Sequence, residues 1–383
     1  MNALEKTFFA LLKNEICDGS GSVTLALNPK DRARIVSLAA RHDLSHLLYD
    51  ALTKNGLLSE TDPEYAALSK SQMLAVYRAG EQARELETVQ KFLNDAGIAS
   101  LPLKGAVLRD LYPAPWMRTA ADVDLLVPEE DAERAEALFY EKGYKLYFRS
   151  PHDVSYTGST GVHIELHRTL SAKGEESGLY SETLANAWKS LTFDEGKPQM
   201  PDELFYFYHI FHMASHFKIG GCGVRSLLDL WLIDQKMPGN LEAREKFLAK
   251  EGLLTFAHNM ERLASFWFSD GEGDEFLETL SSYLLLGGSY GTEKTGAYAK
   301  EGESGGKRAY RASRIFLPYR ELKERYSVLE KHAYLYPFVT VARWFRALSP
   351  SRKKDVKKTL AGGDAIEKKL GVSPEKFWSQ VGL

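Results

Sequence analysis

Between Leu101 and Val127, LPLKGAVLRDLYPAPWMRTAADVDLLV, the helical spacing of apolar residues that runs through the preceding chain gives way to a period of two. The centre of this stretch is Asp122-Val123-Asp124, inside the apolar run Ala121 to Val127 that reads as a β-strand. Side chains two apart on a strand leave from one face, so the two carboxylates sit side by side, roughly 7 Å apart along the chain. Like charges held that close repel, and a hard cation between them relieves the repulsion. Mg²⁺ or Mn²⁺ suits the position, because such ions take one or two protein carboxylates together with phosphate oxygens of a substrate. The other reading of the pair is a strand face carrying two solvated acids.

The flanking elements describe a small α/β unit. Ile98 to Lys104 reads as a strand, Gly105 to Tyr112 as a short helix, and Pro113, Pro115 and Trp116 as a turn into the acidic strand. Pro128 followed by Glu129-Glu130-Asp131 is a helix start, and Gly143 ends that helix. Strand-like runs follow at Tyr144 to Arg149, Asp153 to Thr157 and Val162 to Thr169. In the last of these, His163, Glu165 and His167 share one face while Val162, Ile164 and Leu166 share the other. Glu165 thereby offers a third acid that could complete a metal-holding carboxylate cluster. Taken alone it is equally an exposed strand edge.

On either side the pattern is helical. Residues 1–95 read as helices with no chemical constellation, His42 and His46 lining or capping one of them. Beyond Glu175 the chain is again expected to be helical, and Glu203 to Phe217 is strongly apolar, carrying His209, His212 and His216. His212 and His216 share a helix face, but Met213 stands where a zinc protease carries its glutamate, so phosphate contact or buried hydrogen bonding fits better than zinc. Gly220 to Gly223 leads into a helix with Arg225 in its first turn, placed either to meet an anion or to pair with Asp229 one turn on. Gly287 to Gly306, GGSYGTEKTGAYAKEGESGG, keeps no apolar period and reads as a long loop, a connector or a lid whose Lys294 and Lys300 could reach phosphates. From Lys307 the chain is basic and aromatic. That mixture suits RNA, an acidic partner or a membrane surface, or else helices that pack their aromatic residues inward and leave a solvated charged face.

Bulk properties narrow the class. A formal charge of −3 over 383 residues gives no general case for nucleic-acid affinity. Cys17 and Cys222 form no disulfide framework and no cysteine-rich zinc site, which points to a reducing cytoplasm. No run of about 18 apolar residues occurs, so a membrane span is not expected.

LPLKG, then LY, an arginine ahead of DVDLLV, a helix ending in EKGY, and HIELH together resemble the bacterial uncharacterised nucleotidyltransferase family of the polymerase-β-like superfamily. The resemblance runs from about residue 35 to about 290, leaving the C-terminal 90 residues uncovered. It implies an α+β protein: a small mixed-sheet nucleotidyltransferase core over residues 96–172, a helical region over 1–95, and a helical domain completing the cleft over 173–286. The Gly-rich loop 287–306 and a basic helical region over 307–383 would follow. It implies Mg²⁺-dependent transfer of a nucleoside monophosphate from an NTP to an acceptor, with release of pyrophosphate. Asp122, Asp124 and Glu165 would be the catalytic and metal-binding acids. Lys104, Gly105 and Arg118 would meet the triphosphate, and His212, His216, Arg225 and Asp229 would shape the far wall. One departure stands out: the superfamily usually has Gly-Ser at a helix start, where this chain has Lys104-Gly105-Ala106 and no hydroxyl. The acceptor stays open among a protein side chain, a tRNA end, a sugar phosphate and a small molecule. The competing reading is a non-catalytic nucleotide- or RNA-binding protein that keeps the fold.

Overall fold

The computed structural model describes residues 1–17, 27–150, 152–175, 177–269, 271–315, 317, 319, 322–323, 326–347 and 361–383. The N-terminal helices are α1 (Ala3–Ile16), α2 (Pro29–Arg41), α3 (Ser45–Lys54) and α4 (Tyr65–Asp95). Their starts follow from capping: Asn2 and Glu5 form a reciprocal capping box at α1, and Asn28 accepts from the Asp31 amide with Pro29 in the first turn of α2. Asp31 to Ala51, which reads as one helical stretch, is broken at His42–Leu44, where Asp43 takes a φ of +56°.

The sheet comprises β1 (Leu101–Pro102), β2 (Asp122–Leu126), β3 (Lys145–Arg149), β4 (Asp153–Thr157) and β5 (His163–His167), in the order β1-β2-β5-β4-β3. β2 and β5 run parallel while the other pairs are antiparallel, so the sheet is mixed. β1 is shorter than expected, and its Pro102 is tolerated because the strand lies at the sheet edge. Between β1 and β2 lies the short helix α5 (Lys104–Leu108), and α6 (Ala132–Glu141) follows β2. One face of the sheet, with Val123, Leu125, Val154, Tyr156, Ile164 and Leu166, packs on Val89, Phe92 and Leu93 of α4 and on Ala135 and Phe139 of α6. The opposite face carries the polar set of β2, β4 and β5 and looks toward the helical half of the molecule.

That half begins with α7 (Glu182–Ala185) and a hairpin, β6 (Thr192–Asp194) and β7 (Lys197–Gln199), where helix alone was expected. Glu195 and Gly196 turn it with φ of +47° and +79°, the backbone a two-residue hairpin turn demands. Then come α8 (Asp202–Ile219), α9 (Gly223–Lys236), α10 (Leu241–Lys250), α11 (Leu254–Phe268) and α12 (Glu275–Gly287). α8 is apolar nearly all round, and Phe205, Phe207, Ile210, Met213, Ala214 and Phe217 are all buried, as for a helix enclosed by others.

The Gly287–Gly306 interval departs from the loop expectation, because Glu293–Glu303 forms a further helix, α13. Two of its glycines allow close backbone approach. A Cβ at Gly291 would lie 2.7 Å from the carbonyl carbon of Gly220, and one at Gly296 would lie 2.7 Å from the Ile219 oxygen. The turn after α8 thus rests backbone-on-backbone against this segment.

The C-terminal region contributes helices Lys307–Ile315, Val328–Lys331, Tyr336–Ala347, 361–370 and Pro374–Val381. The last is part of the main core: Phe377 and Trp378 pack on Phe217, and Phe377 also on Tyr283 and Tyr298. The aromatics of the basic stretch divide, since Tyr336 joins Leu317, Leu322 and Leu329 in a small cluster while Tyr334 and Phe338 are exposed. The basic run Ser351–Leu360 lies outside the described residues, as do residues 18–26. Among the described residues no helix is long and apolar enough to cross a membrane.

Candidate functional site

The parallel register of β2 and β5 sets Asp122 opposite His163, Asp124 opposite Glu165 and Leu126 opposite His167. Alternation puts Asp122, Asp124, His163, Glu165 and His167 on the polar face, as their spacing predicts. α5 adds a cation. Lys104, its first residue, adopts a φ of +40°, which costs a non-glycine residue on the order of 1 kcal/mol, and its Nζ donates to Asp124 Oδ1 at 2.8 Å. His167 Nε2 meets the same oxygen at 2.8 Å and stands 3.7 Å from Glu165 Oε2.

These contacts separate the three acids electrostatically. Burial alone would raise the Asp124 carboxyl, but Lys104 and then His167 outweigh it and hold it far below the usual carboxylate range. Burial also works against the charge on Lys104, and Asp124 reverses that, keeping the ammonium protonated. At Asp122 the balance tips the other way: burial and the neighbouring Asp124 push it up against Lys104, His167 and Arg118. Glu165 is pushed up to about 8 by burial, then by Asp124 and Asp122. Two of the three acids therefore resist ionisation, because burial and the neighbouring carboxylates outweigh the cations that face them.

That deficit is the test of a metal here. Asp124, Glu165 and His167 each offer a ligand atom within 4.8 Å of the others, and Asp122 stands next along the same face of β2. Carboxylate oxygens left under-neutralised are the donors that Mg²⁺ and Mn²⁺ prefer, so the residues fit the ion.

Above this floor lies a cavity of ≈ 290 Å³, and the ten residues that the family resemblance assigned to the site all line it: Lys104, Gly105, Arg118, Asp122, Asp124, Glu165, His212, His216, Arg225 and Asp229. Their pairing differs from local expectation. Asp229 is not the partner of Arg225 one turn earlier but of Arg118, whose Nη2 and Nε lie at 3.0 and 3.3 Å from Asp229 Oδ2, while the Tyr112 hydroxyl donates to Asp229 Oδ1 at 2.7 Å. Despite its burial, Asp229 is held ionised by Arg118. Arg225 instead donates to Asp43 Oδ2 at 2.9 Å, to the Thr119 carbonyl, and to the Tyr290 hydroxyl at 3.1 Å. Both guanidinium groups are thus fixed charges of the wall. Gly105 is dictated by space, since a Cβ there would lie 2.9 Å from that of Ala120.

His212 and His216 lie Nε2 to Nε2 at 3.1 Å, one ring donating and the other accepting. Burial and then Lys104 depress both, His216 to about 4, so both are neutral near pH 7. Among the described residues they join no third metal-ligating side chain. His42 and His46 are buried and structural, His46 bonding the Met117 carbonyl.

Sequence reasoning missed several wall residues. Tyr208 and Phe205 come from the apolar run of α8, and Ser289 and Tyr290 from the Gly-rich interval, whose Lys294 and Lys300 do not line the cavity. It also assigned no role to His167, although its place on the face of Glu165 was visible.

Residues 28–269, more than half of the chain, match the family described as uncharacterised nucleotidyltransferase, and the chain belongs to that family. Among curated proteins none matches it. The solved structure of the antibiotic-resistance factor ANT(2'')-Ia aligns over 45% of this chain and 91% of its own, with 13% identity and a TM-score of 0.34.

Proposed function

From membership in the uncharacterised nucleotidyltransferase family, we propose that the protein moves a nucleoside monophosphate from an NTP to an acceptor hydroxyl, with Mg²⁺ or Mn²⁺ as cofactor. The observation that carries this reading is the joining of three carboxylates on one parallel strand pair with a lysine and two fixed arginines around one cavity. In the reaction the acceptor oxygen bonds to the α-phosphorus, the bond from that phosphorus to the bridging oxygen of the β-phosphate breaks, and pyrophosphate leaves. Asp122, Asp124 and Glu165 would hold the divalent ion, which supplies charge neutralisation at the phosphates when bound.

The chain's own groups would do the rest. Glu165, whose carboxyl is pushed up to about 8 before ligands arrive, holds a proton near pH 7 and would take the acceptor's proton only after nucleotide and ion have displaced its own. Lys104, held at Asp124 in the free protein, would donate to phosphate oxygens once Asp124 is otherwise neutralised. Arg118 and Arg225, anchored by Asp229 and Asp43, would meet charge growing on the leaving pyrophosphate without having to be ordered first. His212 and His216, being neutral, would offer hydrogen bonds without adding charge.

The test is calorimetric titration of each NTP with Mg²⁺ or Mn²⁺ into wild type and Asp122→Ala/Asp124→Ala. Metal-dependent binding that the double variant loses supports the reading. Absence of NTP binding to folded wild type with either metal would sink it.

A further inference from the structure

Behind Asp124, away from the cavity, strands β4 and β5 assemble a second group of donors. Asp153 is the register partner of His167, and His152 precedes it. His152 Nε2 lies 2.8 Å from Asp153 Oδ2, and the rings of His152 and His167 face each other at 25° with centroids 5.8 Å apart. Each of the three residues offers a ligand atom within 4.8 Å of the others. Two imidazoles on one tetrahedral ion, with bonds near 2.0–2.1 Å, place their centroids roughly 5 Å apart, so little movement separates this arrangement from ligation.

The decisive feature is an incomplete histidine. His167 is 3% exposed, and its Nε2 faces an ionised carboxylate oxygen that can only accept, so that nitrogen carries the proton. The other ring nitrogen is Nδ1. It is buried and, among the described residues, has no hydrogen-bond partner. Buried acceptors are nearly always satisfied, and a metal ion satisfies one as well as a proton donor does. A ligating histidine whose other ring nitrogen donates to a carboxylate is also the usual support around metal centres.

We propose that His152, Asp153 and His167 form a site for a borderline-soft divalent cation of the Zn²⁺ class, separate from the oxygen-rich site at Asp122, Asp124 and Glu165. Two imidazoles and one carboxylate favour such an ion over Mg²⁺. Glu175, 3.7 Å from His152 Nδ1, stands at its edge. The ion fixes the tautomer of His167, and through the Nε2 hydrogen bond it holds Asp124 in position, so His152 and Asp153 act as positioning residues.

The test uses the full chain stripped of metal by a chelator, with no Mg²⁺ or nucleotide present. Co²⁺ is titrated in and followed by visible absorption, and Zn²⁺ binding is measured by equilibrium dialysis. We expect one ion per chain, with the visible bands of nitrogen-ligated Co²⁺, and binding weakened at least tenfold in His152→Ala and His152→Gln. His152 is partly exposed, and melting curves in metal-free buffer check that both variants fold. Asp122→Ala, which removes a ligand of the carboxylate site, should keep the ion that gives the nitrogen-ligated Co²⁺ bands. Three results would overturn the proposal: no stoichiometric binding, unchanged binding in both His152 variants, or binding lost in Asp122→Ala, which would put the ion among the carboxylates. Because no nucleotide enters the experiment, its outcome is independent of the nucleotidyl-transfer reading.

Discussion

Binding of an Mg²⁺–NTP complex should expel a proton from Glu165, and the number can be worked out. The carboxyl sits at about 8 because it is buried and faces Asp124 and Asp122. At pH 7 a group of that pKa is roughly nine-tenths protonated, and at pH 9 only about one-tenth. A ligand that needs the carboxylate ionised must therefore release about 0.9 proton per chain at pH 7 and about 0.1 at pH 9. Its affinity should rise about tenfold per pH unit below 8 and level off above. Calorimetry with preformed Mg²⁺–NTP in buffers of different ionisation enthalpy measures this directly, because the slope of observed heat against buffer enthalpy is the proton count. Glu165→Gln should bring the slope at pH 7 close to zero. Wild type that binds tightly at pH 7 with no proton release, or with the same release at pH 9, would refute the assignment of Glu165 as the under-neutralised ligand.

Two glycines inside helices should respond to alanine with opposite signs. At Gly80 in α4 an added Cβ would point into open space, so Gly80→Ala should stabilise by about 0.5–1 kcal/mol, whereas Gly296→Ala meets the Ile219 carbonyl and should cost about 1–3 kcal/mol, both read from urea unfolding. Asp229→Ala leaves the buried Arg118 charge and the Tyr112 hydroxyl without their acceptor and should cost about 3–5 kcal/mol, with Asp229→Asn costing less. His42 is buried with its pKa lowered by burial from 6.5 to about 4, so the unfolded chain binds its proton first on acidification. Its contribution, about 3 kcal/mol, is present above pH 6.5 and lost as pH falls to 4, and His42→Gln should flatten the pH dependence of denaturation in that window.

The site was legible where chemistry follows a local period. Alternation placed Asp122 with Asp124 and Glu165 with His167, and the parallel pairing of β2 with β5 needed only one register to make them a single face. What stayed hidden depends on contacts between distant segments. Asp229 could be seen to sit one turn from Arg225, but not that it would be taken by Arg118, 111 positions away in the chain. Glycine composition marked 287–306 as a loop, because from sequence a glycine that lets two backbones touch cannot be told from one that lets a loop bend. The hairpin at Thr192–Gln199 is short and its turn uses Glu-Gly, a weaker signal than Asn-Gly or Asp-Gly. His152 was unreadable as a neighbour of His167 until β4 was laid antiparallel against β5.

Which bond of the nucleotide breaks is tested most directly by label transfer. NTP labelled at the α- or the γ-phosphate is incubated with Mg²⁺, a cell extract as the source of acceptor, and either wild type or Asp122→Ala/Asp124→Ala. With wild type alone, α-label should appear on an acceptor and γ-label in pyrophosphate. Label from the γ-position on the acceptor, or its appearance as free phosphate with no α-label transferred, would contradict nucleotidyl transfer.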